Sequence, residues 1–136
     1  MSRKLDIEAM QTTALFERVT RAHVKDCIRG DSQVTFIVAP GEMAKAIGKG
    51  GANVKKITGM LKKPVVLIEY NEDPVAFVKG LVKVKNIDIS RSDNNIRIQC
   101  ADARTKGQVY GRDRENIKHI QTLLDRCYTG ITVVVE

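Results

Sequence analysis

Apolar positions along the chain alternate between a helical and an extended period, and the whole succession occurs twice. Ile7, Met10, Ala14 and Val19 keep a helix-compatible spacing behind Asp6, an acidic residue suited to the start of a helix. The segments HVKDCIRG and QVTFIVA follow, split by Gly30-Asp31. In the second of these, Val34, Phe36 and Val38 alternate with Thr35, Ile37 and Ala39, which predicts a strand buried mainly on one side. Pro40-Gly41 opens a short helical stretch, EMAKAI, that stops at Gly48. Beyond it Val54, Ile57 and Leu61 form the i, i+3, i+7 stripe of another helix, Pro64 bounds that helix, and VVLIEY reads as a strand.

The second half repeats this order. Asp73-Pro74 is a cap followed by proline at the first helical position, and Val75, Val78, Leu81 and Val82 give a core-facing stripe. VKNIDIS and NIRIQC read as strands through Ile87, Ile89, Ile96, Ile98 and Cys100, and a short helix is predicted from Asp102 to Val109. Ile117, Ile120 and Leu124 restate Val54, Ile57 and Leu61 sixty-three residues later, and Ile131, Val133 and Val135 make a closing strand. Each half therefore reads helix, strand, strand, helix, glycine loop, helix, strand, an internal duplication. The boundary falls near Asn71-Glu72-Asp73, and so short a link predicts a fixed relation between the two loops.

Composition narrows the function classes. The 136 residues suit two small domains of about 65 to 70 residues. The apolar run Val65-Val66-Leu67-Ile68 is far too short to span a bilayer, and MSRKLDIEAM has no signal-peptide core. Cys27, Cys100 and Cys127 lie far apart, and with His23 and His119 they show no metal-ligand spacing. They read as reduced thiols of a cytoplasmic protein, with no metal or cofactor expected. The formal charge is +7, and from Met43 to Lys63 the chain carries six lysines and no acid. One sign gathered around a glycine loop is the footprint of phosphate contact.

That loop is Gly48-Lys49-Gly50-Gly51. Glycine tolerates positive φ and lets another backbone come close. The helix that follows offers N–H donors and a dipole favourable to an anion. A P-loop is excluded, since Met43 stands where its first glycine belongs and Gly50 where its hydroxyl residue belongs. The dinucleotide pattern fails at Asn53, in a helix-loop-helix setting. No paired carboxylates, nucleophile–histidine pair or metal ligands can be assembled, so neither an enzyme nor a small-molecule substrate is expected.

The stretch Ile47-Gly48-Lys49-Gly50-Gly51-Ala52-Asn53-Val54-Lys55-Lys56-Ile57 resembles the I-G-x-x-G-x-x-I-x-x-I signature of the KH domain throughout. The resemblance implies an α+β fold of two tandem type II KH domains, residues 1–70 and 71–136. Each would have the order helix-strand-strand-helix-helix-strand, with helices on one face of a three-stranded mixed sheet. It also implies a loop that clamps about four nucleotides of single-stranded RNA or DNA. Two such domains in tandem resemble the KH unit of NusA transcription elongation and termination factors, in the stand-alone form of archaeal NusA-like proteins. Single-stranded RNA and RNA polymerase or other transcription machinery are the partners so implied, with no membrane. A protein-docking scaffold at a polymerase or ribosome, with incidental RNA contact, is the alternative.

Site residues carried over are Lys45, Gly48, Lys49, Gly50, Gly51, Asn53 and Lys55, with Ile47 and Val54 serving both as core and as a groove floor and Asn53 open to capping or bonding the loop in place of nucleic-acid contact. In the second copy, YGRDRENIKHI, the counterparts are Gly111, Arg112, Arg114 and Lys118. Arg114 replaces a glycine, and Asp113 stands where a phosphate would pass. A unit charge about 5 Å from a phosphate costs on the order of 1 to 3 kcal/mol. From Asp102 to Arg126 six basic residues face four acids, so the second copy is predicted to be the weaker grip. The aromatic content, 4% with no tryptophan, argues against a stacking platform and suits an aliphatic groove.

Overall fold

The computed structural model describes the backbone of residues 3–136 and side chains from residue 7 onward. The chain forms two compact units, Met1–Asn71 and Glu72–Glu136.

The first unit opens with α1 (Arg3–Thr20). Asp6 lies inside this helix, not ahead of it, and its side chain, like Met1 and Ser2, lies outside the described residues. The predicted stripe is also displaced. Ile7 is 49% and Met10 71% exposed, whereas Thr12, Phe16 and Thr20 form the buried face. The two threonines can be buried because each hydroxyl donates to the carbonyl four residues earlier, Glu8 and Phe16, at 2.8 Å.

Strand β1 (Val24–Arg29) pairs antiparallel with β2 (Val34–Val38), and β2 pairs parallel with β3 (Val65–Glu69), so β2 is central. All five residues of β2 are buried, not alternate ones. Its near-continuous apolar run, with only Thr35 polar, is the composition of a strand covered on both faces. On one face lie α2 (Met43–Ile47) and α3 (Ala52–Leu61) together with α1. There Phe16, Ala46 and Ile57 close over Val24, Cys27, Val34, Phe36 and Val38. Phe16 stacks on Phe36 with ring centroids 4.1 Å apart.

The second unit repeats the plan. Helix α4 (Pro74–Leu81) starts at Asp73, whose carboxylate accepts the Val75 N–H at 3.0 Å. Its buried side is Pro74, Phe77 and Val78, while Val82 lies past the helix end. Strands β4 (Ile87–Ser92), β5 (Asn95–Cys100) and β6 (Thr132–Val135) form the second mixed sheet, in that order. Again the first pair is antiparallel and the second parallel. Helices α5 (Ala103–Tyr110) and α6 (Glu115–Cys127) contribute Val109, Ile120, Leu123 and Leu124 to the core. Both units thus have the helix-strand-strand-helix-helix-strand order and three-stranded mixed sheet of the type II arrangement.

Among the described residues no helix is long and apolar enough to cross a membrane, and no cluster of three metal-ligating side chains occurs. Cys27 is buried, Cys100 and Cys127 are half-buried, and none is in a disulfide.

Candidate nucleic-acid interface

The loop between α2 and α3 is built on three glycines in left-handed territory. Gly48 has φ 77° and ψ 168°, a combination essentially restricted to glycine, and its N–H closes on the Ala44 carbonyl at 2.9 Å. Gly50 (φ 63°) and Gly51 (φ 78°) then turn the chain into α3. The Gly51 N–H returns to the Gly48 carbonyl at 3.1 Å, which closes the turn.

Space around these glycines differs sharply. A Cβ on Gly48 would stand 2.7 Å from Cγ and 2.8 Å from the backbone N of Asn53. Asn53 occupies that place because its Nδ2 donates to the Lys45 carbonyl at 2.8 Å, tying the start of α3 to the end of α2. Its side chain is thus a brace for the loop. A Cβ on Gly50 or Gly51 would meet nothing within 4 Å, so the outer face of the loop is open to an approaching backbone.

The flanking side chains set the chemistry. Lys49 is exposed at the loop tip, and Lys55 and Lys56 are exposed on the first turns of α3. Lys63, by contrast, donates to the Gly30 carbonyl at 3.1 Å. Lys45 is exposed but paired with Glu42 at 3.1 Å. The lysine field without acids that the sequence predicts begins one residue past Glu42, which lies close enough to pair with it. The Lys45 ammonium and the His23 N–H, donated to Glu42 Oε1 at 3.2 Å, hold the Glu42 carboxyl below its ordinary value of 4.5. An acid three residues ahead of Lys45 was the available signal.

Of the apolar trio, only Ile57 is fully core, at 0% exposure. Ile47 is 40% exposed, and Val54 is half-buried. Ile47 therefore presents an aliphatic surface beside the open glycines, and its share of the core is smaller than its place in the pattern suggested.

The second loop reproduces the first. Gly111 has φ 72° and ψ 174°, and a Cβ there would stand 2.6 Å from Cγ of Asn116, whose Nδ2 donates to the Gln108 carbonyl at 3.3 Å. Asn116 is the counterpart of Asn53 and was not among the predicted residues, although it stands at the same offset. Asp113 (φ 53°) and Arg114 (φ 61°) adopt the left-handed backbone of Gly50 and Gly51. The lost glycine has not changed the frame, and two L-residues carry the strain instead. Arg114 lies over the Tyr110 ring, 5.1 Å from its centroid. Tyr110, at the place of Ile47, is half-buried, while Arg112 and Lys118 are exposed.

This braced Gly-x-x-Gly turn, set between two helices on a three-stranded mixed sheet, defines a class. The chain belongs to the KH domain family, whose model matches residues 11–94. It is 36% identical over 121 residues to the "Probable transcription termination protein NusA" of Halococcus morrhuae, with 87% of each chain covered. It is 33% identical over 129 residues to the protein of the same name from Halobacterium salinarum, with 93% of each covered. Among solved structures, the crystal structure of APE1850 matches 96% of this chain and 99% of its own, with a TM-score of 0.74 at 26% identity.

Proposed function

We propose that this protein is a non-catalytic, single-stranded RNA-binding module that acts in transcription elongation or termination, with the first unit as its principal grip. The observation that carries the reading is the open face of the first loop. Gly50 and Gly51 have empty space where a Cβ would be, Lys49 stands at the tip, and Ile47 is exposed beside them. A phosphate run can approach the loop while its bases lie on the aliphatic floor. The place in transcription rests on the names borne by the relatives. RNA polymerase or another part of that machinery is the partner to seek first.

Replacing Lys49 and Gly50 together by Asp tests the clamp. Both positions are exposed, so the fold should survive while RNA affinity falls more than tenfold in anisotropy titrations. Contact with about four phosphates implies a log–log salt slope near −3, at roughly −0.7 per phosphate on a single strand. A folded double variant with unchanged affinity would remove the clamp from the first loop. A pull-down of protein partners surviving nuclease and high salt would favour the docking scaffold instead.

A further inference from the structure

The two units also differ at the other end of the helix that leads into each loop. In the second unit a cavity of about 570 Å³ opens between the segment before β4 and the first turn of α5. Lys83, Lys85 and Arg104 line it, with Asn86, Asp102 and Thr105. At the sixty-three-residue offset these three cations replace Thr20, Ala22 and Gly41, and Thr105 replaces Glu42. The first unit has no cation at these three places, although Arg21 and Lys45 stand where Val84 and Gln108 line the cavity, and the acid there closes on His23 and Lys45. Helix α5, with eight residues against five in α2, extends the cavity wall.

Among the described residues, Lys83, Lys85 and Arg104 have no ion-pair partner. The opposing acid, Asp102, is turned into the helix, where its carboxylate accepts the Thr105 N–H at 2.8 Å. The basin keeps a net positive charge of two, from three cations and one acid. Its volume lies within the roughly 300–1,000 Å³ of small-ligand sites. Gln108 lines it as well, and its carbonyl takes the brace from Asn116, so basin and loop are joined through one residue.

We propose that this basin is a second RNA-contact site, which takes a phosphate and its nucleoside from a strand that also passes the Gly111–Arg114 loop. The inference rests on the RNA-binding reading above. Along α5 the distance from basin to loop is about 12 Å at 1.5 Å per residue. At about 3.4 Å per nucleotide in a stacked strand this corresponds to three or four nucleotides. The second unit has exchanged an open glycine loop for cations at the far end of the same helix.

The test compares the full chain with its K83A/K85A/R104A variant on RNAs of about four and about twelve nucleotides over a salt series. The altered side chains are exposed, and an unchanged denaturation midpoint would verify folding. The variant should bind the short RNA like the parent. On the long RNA its salt slope should be shallower by about 0.7, with affinity roughly fivefold lower at 0.1 M salt, as the loss of one phosphate contact requires. Equal slopes for parent and variant on the long RNA would overturn the site and leave the first-loop clamp standing. The converse also separates them: if K49D/G50D binds normally while the triple variant fails, the clamp falls and the basin stands. A free-nucleotide site is the remaining source of the same chemistry. Saturable AMP binding that shifts the Asn86 and Thr105 resonances, with no dependence on strand length, would overturn the strand contact in its favour.

Discussion

Glycines of one motif do different work, set by the backbone angle and the free space at each. Gly48 is excluded from substitution twice, by its backbone conformation and by the Asn53 side chain that would meet a Cβ at 2.7 Å. Gly50 is constrained only by φ, with open space around it. Gly48→Ala should therefore destabilise the first unit by roughly 2 to 4 kcal/mol, combining backbone strain with displacement of the brace. Gly50→Ala should cost only about 1 to 2 kcal/mol for the left-handed backbone. Urea denaturation distinguishes the two. Adding Asn53→Ala to Gly48→Ala should recover only the side-chain part of the clash, since the Asn53 backbone N, 2.8 Å from the new Cβ, remains. If the two single variants were equally stable, the brace would have no energetic part. Asn53 shows how far sequence reasoning reached at this scale. Its place in the motif and the option of a bond to the loop were legible, but the acceptor, the Lys45 carbonyl eight residues back, is one that no spacing rule announces.

At the scale of elements, α2 is only five residues long and depends on its ends. Glu42 ties its start to the residue just before β1 through the His23 N–H and binds Lys45, so one carboxylate both anchors the helix and masks a cation near the loop. Its proton affinity is lowered on folding, so its contribution to stability is complete above pH 4.5 and is lost as pH falls through the lower folded value. Glu42→Gln should narrow the stability gap between neutral and acidic solution, as thermal melts across that range would reveal. It should also release Lys45 and raise RNA affinity roughly two- to fivefold, with a salt slope steeper by about 0.7. Weaker RNA binding by the variant would instead mean that Lys45 must be held in place by its partner. The order of elements was legible because strand and helix periods alternate cleanly between glycine and proline boundaries. What was hidden follows from polar groups satisfied locally. Thr12 and Thr20 bury their hydroxyls against their own helix, so hydropathy pointed instead to Ile7 and Met10, which face outward.

Across the whole molecule the duplication supplies an internal control, because the two loops share a backbone and differ in chemistry. The φ angles of Gly48, Gly50 and Gly51 (77°, 63° and 78°) are matched by 72°, 53° and 61° in Gly111, Asp113 and Arg114. Backbone geometry therefore does not separate the two loops, and charge does. Over matching stretches, residues 39–63 carry six lysines and one acid, Glu42, while residues 102–126 carry six basic residues and four acids, with Asp113 at the loop tip. Arg114 is further committed to the Tyr110 ring. Restoring the glycine by Arg114→Gly relieves about 1 to 2 kcal/mol of left-handed strain. It forfeits roughly 0.5 to 1 kcal/mol of cation–π contact and a similar amount through the freer unfolded chain. Stability should change little, so any change in binding reports on RNA contact alone. On a short RNA the expected ranking is a change of less than about twofold for Arg114→Gly against more than tenfold for K49D/G50D, the larger being at least 1.4 kcal/mol. Anisotropy titrations that returned the opposite order would move the principal grip to the second unit, where the strained arginine would then be the residue that holds the strand.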